Sequence, residues 1–101
     1  MNVRHHWSLP GQIQKRCAQY VFSCIGKSTE QVGKRRMIIS LYRNPAHALD
    51  TDGAYSSVKP LVDSIKKLGH LRDDSDQWLD LQVVQIDSKT RHTEVEIIAI
   101  D

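Results

Sequence analysis

Cysteine is scarce in this chain, and long apolar runs are missing from it. The two cysteines, Cys17 and Cys24, fall in a segment that reads as helix. Seven residues of helix separate them by ~10 Å, too far for a disulfide. The expectation is free, largely buried thiols in a reducing compartment. The histidines His5, His6, His47, His70 and His92 are scattered, with no HxxxH spacing, and no CxxC occurs either. A zinc site joining Cys17 and Cys24 to His5 and His6 is therefore disfavoured, and the histidines read as structural or surface residues. No stretch approaches the length that spans a bilayer, and Met1 to Pro10 has no apolar core like that of a signal peptide. These absences point to a cytoplasmic protein with no membrane partner. Repeats and low-complexity segments are lacking as well.

What is present suits one small domain. A chain of 101 residues supports a single domain, 1–101, with one modest core. A dimer is a common way for such a chain to bury more surface. Charge is unevenly distributed. Residues 1–43 hold eight Lys and Arg against the single acid Glu30, a net +7. Residues 44–101 hold six against eleven acids, a net −5. Such asymmetry suits a polyanionic partner, but it also suits two faces that attract each other across the fold, the plainer expectation.

Residues 1–11 show no regular period. From Ile13 the apolar positions Ile13, Cys17, Tyr20, Val21, Cys24 and Ile25 make a helical stripe, with Gly26 as its stop. Residues 27–36 are polar and basic and read as a loop. Met37 to Arg43 is β-branched, apolar and aromatic, a buried strand ended by Asn44-Pro45. Val58, Leu61, Val62, Ile65 and Leu68 make a second helical stripe, capped by Ser56 or Ser57 and closed by Gly69, with Pro60 in its first turn. Trp78 to Asp87 and His92 to Ile100 alternate as strands, Val95, Ile97 and Ala99 sharing a face, and Ser88 to Arg91 reads as a hairpin connection. The order α, β, α, β, β predicts an α/β (α+β) fold. It is a small mixed β-sheet with helices packed on it and one right-handed crossover.

Acidic residues flank the second helix. Asp50 and Asp52 precede it, two positions apart, and in extended backbone both carboxylates would meet one ion. Asp73, Asp74 and Asp76 follow it. Lys59 lies one turn before Asp63. Hard oxygen donors without His or Cys favour Mg²⁺, or Mn²⁺, over zinc. Such a site polarises a phosphodiester and acidifies a bound water, and Lys59 could neutralise phosphate. The same residues also fit helix-end charges and a surface Lys–Asp pair.

The run Leu49-Asp50-Thr51-Asp52-Gly53, then Lys59, Asp63 and Arg72-Asp73-Asp74-Ser75, resembles the RusA family of Holliday-junction resolvases. That family has a D-x-D-N element, a helix with a Lys and a later Asp, and an Asp-Asp pair before a strand. The resemblance covers about residues 37–101 and is strongest over 48–76. It implies a RusA-like fold and a homodimeric, Mg²⁺-dependent endonuclease that resolves four-way junctions in branched DNA. It also implies metal ligation by Asp50, Asp52 and Asp74 with support from Asp73, and phosphate contact by Lys59. Catalysis would then rest on Asp50, Asp52, Asp74 and Lys59. Two departures stand out: Gly53 replaces the family's Asn, and residues 1–36 do not align with the family's opening strands. They leave room for a branched-DNA-binding homolog that cuts weakly or not at all.

Lys34, Arg35 and Arg36 form a basic run able to track a DNA backbone. Trp7 and Trp78 could stack on bases, although packing is the simpler role for Trp78. The helix from about Ser56 to Leu68 would be ~20 Å long, placing Asp50 and Asp52 at one end and Asp74 at the other. A two-fold dimer with antiparallel helices would bring the two ends together as a composite site, while the link from Gly69 to Asp73 could instead fold back and build the site within one chain.

Overall fold

A computed structural model of the chain describes residues 4–10, 17–29 and 32–100. Its strands are β1 (Arg4–Pro10), β2 (Arg35–Arg43), β3 (Leu79–Asp87) and β4 (His92–Ala99). Its helices are α1 (Cys17–Ile25), α2 (Thr51–Ser57) and α3 (Lys59–Lys67), with a short 3₁₀ turn at Pro45–His47. The strands form one mixed sheet in the order β1-β4-β2-β3. β2 and β3 run parallel, joined by the α2–α3 crossover, and β4 is antiparallel to both β1 and β2. The α+β class and the mixed sheet expected from the sequence are therefore what the chain forms.

Period-two alternation sets the sheet's two faces. Met37, Ile39 and Leu41 of β2 and Thr93, Val95 and Ile97 of β4 are buried under the helices. Leu61, Val62 and Ile65 of α3 and Val21 of α1 cover them. The opposite face carries no helix among the described residues and presents half-buried Ile38, Ser40, Tyr42, Glu94 and Glu96. No described helix is long and apolar enough to cross a membrane.

Five local expectations change. Residues 4–10 are a strand, not an irregular start: Trp7 and Leu9 are buried while His6 and Ser8 are exposed. Arg35 and Arg36 belong to β2 rather than to the loop before it. The second helix begins earlier, at Thr51, with Asp50 as its cap in place of Ser56 or Ser57, and it breaks at Val58. The break has a physical cause in Pro60, which has no N–H for the Ser56 carbonyl and whose ring would strike it. Ser88 to Arg91 is not a hairpin, because β4 lies on the far side of β2 and Ser88 N–H donates to the Arg43 carbonyl as the chain crosses. Finally, Cys24 is a free, exposed thiol. The Cys17 and His5 side chains and the Ile13–Arg16 turn of the first helix lie outside the described residues.

Gly69 closes α3 as expected. Its φ is +85°, and a Cβ there would collide with the Ser28 carbonyl oxygen. Ser28 N–H donates to the Leu68 carbonyl at 2.7 Å, so the strap after α1 lies directly against the end of α3.

Candidate metal and nucleic-acid site

The acids before the crossover are organised by helix ends. Asp50 is the N-cap of α2, and its Oδ1 accepts the Gly53 N–H at 2.7 Å. Asp52 lies in the first helical turn, exposed. The extended geometry expected for this pair is not what forms. Asp50 is itself extended, but Asp52 is already in the helix, so the period-two repeat that would align the pair is broken between them. A Cβ on Gly53 would sit 2.7 Å from Asp50 Oδ1, so the glycine lets Asp50 close over the helix end.

The acids after the crossover meet lysines. Lys66 Nζ lies 3.1 Å from Asp73 Oδ1 and 3.6 Å from Asp74 Oδ1. The hydrogen bond from Lys66, helped by one from the Asp74 backbone, holds the Asp73 carboxyl below the usual range. Reciprocally, Asp73 first and Asp74 second push the Lys66 ammonium up. Sequence reasoning passed over Lys66. Its signal was the spacing Lys59, Asp63, Lys66, which places all three on one stripe of α3.

Along that stripe the separate elements converge. Lys59, Asp63 and Asp74 share a cleft of about 290 Å³ with Tyr55, Ser56 and Leu81. An adjoining cleft of about 400 Å³ adds Lys34, Asp76 and Asp80 around the same Asp74. Tyr55 lines both clefts, and its hydroxyl donates to the Leu81 carbonyl at 3.4 Å.

Asp50 and Asp74 stay at opposite ends of β3. Leu49, next to Asp50, is held by the Gln85 amide through bonds of 2.8 and 2.6 Å. Asp74 lies at the Leu79 end, roughly 20 Å back along the strand at 3.3 Å per residue. Among the described residues no three Asp, Glu, His or Cys side chains gather closely enough to hold a metal ion. The candidate carboxylates fall in two separate groups, Asp50 with Asp52 and Asp73 with Asp74.

Lys34, Arg35 and Arg36 do not form one patch. Arg35 is buried on the helix face and donates to the Lys34 carbonyl. Arg36, on the other face, pairs through Nε with Asp80 at 2.8 Å. Trp78 is covered by the Arg72 guanidinium, 4.0 Å from its ring centre. Trp7 is buried. His70 is buried with Nε2 2.8 Å from the Gly26 carbonyl oxygen, and His92 stacks on Tyr42 at 4.1 Å. These histidines hold structure, as expected.

No family model matches the chain, and no curated protein matches its sequence.

Proposed function

We propose that this protein is a Mg²⁺-dependent endonuclease of the RusA kind that resolves four-way DNA junctions as a homodimer. The observation that carries the proposal is the cleft shared by Lys59, Asp63 and Asp74. Lys59 and Asp63 of α3 and Asp74 from the turn before β3 line it together, an arrangement in which the lysine would meet a phosphate beside carboxylates suited to a hard metal ion. Lys59 would contact a phosphate oxygen, and Lys34 would extend the same contact past Asp74. Asp50, Asp52 and Asp74, supported by Asp73, would hold Mg²⁺ or Mn²⁺. The ion would polarise the phosphodiester and lower the pKa of a bound water.

A second copy of the chain answers the separation of the donors. β3 is an edge strand, and Val84 and Ile86 on it are 42% and 37% exposed. Antiparallel pairing of two β3 strands about a two-fold axis sets the Gln85 end of one copy against the Leu79 end of the other. Asp50 and Asp52 then approach the partner's cleft, and the dimer has two equivalent sites for two symmetric cuts. The reducing compartment expected from the cysteines, the cytoplasm, suits this activity.

One observation favours a second reading, a branched-DNA-binding homolog that cuts weakly. Lys66 already neutralises Asp73 and Asp74, and Asp50 is engaged as a cap. The test is incubation with labelled four-way junction, linear duplex and single strand, with and without Mg²⁺. Mg²⁺-dependent symmetric cutting of the junction is the expected result. Junction binding without cutting selects the second reading. Absence of both leaves the acids as helix-end charges in a small interaction protein.

A further inference from the structure

The loop between α3 and β3 is pinned at both ends, because Leu71 and Leu79 are buried in the core. Within it the Ser75 carbonyl accepts the Trp78 N–H at 3.0 Å and the Leu79 N–H at 2.9 Å, which turns the chain back on itself. Trp78 is also tied to β2, its carbonyl accepting the Arg35 N–H at 3.0 Å. The indole is therefore held in place, and the Arg72 guanidinium lies 4.0 Å from its ring centre. Arg72 is exposed and has Asp73, Asp74 and Asp76 close by in sequence. Its charge goes to none of them. Asp73 and Asp74 are answered by Lys66 from α3 instead, and the side-chain contact of Arg72 is the indole. A stacked guanidinium gives the ring its flat face and keeps its N–H donors along the edge.

We infer that Arg72 holds a backbone phosphate of the bound nucleic acid, and that Trp78 positions it. The inference rests on the nucleic-acid reading above but uses none of the acids or lysines assigned there. Three features of the loop support it. Stacking restricts a long side chain before any substrate arrives, which lowers the ordering cost of binding. The guanidinium edge can meet two phosphate oxygens at once, which a lysine cannot do. Lys66, by taking Asp73 and Asp74, keeps the nearest carboxylates from competing for the arginine. Arg72 also belongs to the same loop as Asp74, so a phosphate held there arrives beside the candidate carboxylates. The role of Trp78 changes accordingly. Its face under Arg72 is not open to a base, and the ring acts through the arginine.

The test measures binding of the full chain to a fluorescent four-way junction in EDTA, where no metal-dependent cutting occurs, over a series of KCl concentrations. R72M keeps a flexible apolar cover on the indole and removes the charge. It should melt with the parent, bind about threefold to tenfold more weakly, and lower the salt-dependence slope by about one unit. W78F keeps an aromatic face under Arg72 and should bind as the parent does. W78L removes that face and should weaken binding, and R72M combined with W78L should bind no more weakly than R72M alone. R72M, at an exposed position, decides the charge even where W78L is unstable. An R72M slope equal to the parent's, R72M and W78L losses that add, or a parent that does not bind the junction overturns the inference. Adding Mg²⁺ scores the nuclease reading separately. Cutting by the parent with an unchanged R72M slope removes the inference and leaves the nuclease. A slope that falls in R72M without cutting by the parent keeps the inference and removes the nuclease.

Discussion

Asp50 has a structural role in the fold, and the proposed nuclease would give the same carboxylate a chemical one. As the cap of α2 it satisfies the Gly53 N–H, and replacing it by Ala should cost about 1 kcal/mol of stability. Asn caps as well as Asp but carries no charge. D50N should therefore unfold at the parent's denaturant midpoint yet lose Mg²⁺-dependent cleavage, whereas D50A should lose both. If D50N still cuts the junction, the residue is a cap and nothing more. D74N and D52N should likewise abolish cleavage while junction binding survives, since removing negative charge beside phosphate does not weaken it. Lys66 has the opposite character. Asp73 is depressed, so its share of the ion pair is in full force above the ordinary aspartate pKa and fades as pH falls through the lower native value. Lys66 is raised, so its share holds below its ordinary value and is lost as pH climbs through the higher native one. The K66M stability deficit should be flat across neutral pH and vanish in acid. A deficit that instead grows in acid would contradict the pairing. Among site residues, spacing marked the acids and Lys59 as candidates. The pairing of Lys66 with Asp73 and Asp74 was not, because it depends on where the turn after Gly69 brings the chain back.

Elements were legible where periodicity was long and opaque where tertiary partners decide. β2 and α3 carry clear stripes and formed where they were read, with β2 starting two residues earlier, at Arg35, and α3 separated from a preceding helix at Val58. β1 has only Trp7 and Leu9 to mark its inner face, too short a pattern to separate from an irregular start. The supposed β3–β4 hairpin failed because a four-residue connection allows two outcomes, pairing or stepping over β2, and sequence spacing does not choose between them. Burial does: Val95 and Ile97 are fully enclosed in β4, which needs a central position, while β3 leaves Val84 and Ile86 exposed at the edge. Pro60 does lie in the first turn of α3, as read. What the reading missed is that the residues before it, from Thr51, form a separate helix ending at Val58. The two helix stops can be compared directly. Gly26 and Gly69 both have positive φ, but a Cβ on Gly26 meets nothing whereas one on Gly69 strikes the Ser28 backbone. G26A should cost about 1 kcal/mol, for conformation alone. G69A should cost clearly more, adding about 1–3 kcal/mol of strain as the Ser28 strap is displaced. Urea midpoints at an unchanged m-value decide it, and equal losses would mean the strap yields freely.

At the scale of the whole molecule, the opposed charges of the two halves are interleaved rather than separated. β2, from the basic half, lies between β3 and β4 of the acidic half, and Arg36 meets Asp80 across the β2–β3 pair. Arg36 thus uses its charge inside the sheet, and in the proposed nuclease phosphate contact would fall to cations such as Lys34 and Lys59. K34A and K59A should each reduce the salt-dependence slope of junction binding by about one unit, while R36A should leave it unchanged. The assembly can be probed the same way. Charged side chains on an edge strand resist pairing, so V84K, at an exposed position of β3, should leave the monomer folded and convert a β3-paired dimer to monomer in sedimentation. Complementation then asks whether the dimer completes the site. D52N and D74N are each expected to be inactive as pure dimers, because both sites of each carry a lesion. If Asp52 of one copy works with Asp74 of the other, a mixed dimer places both lesions in one site and leaves the second intact. The mixture should then nick one strand of a junction without cutting both. If instead each site is built within one chain, every site in every dimer stays broken, and the mixture remains inactive once subunit exchange has been demonstrated. Restored nicking that disappears when V84K is added to both chains would tie the composite site to the β3 edge itself.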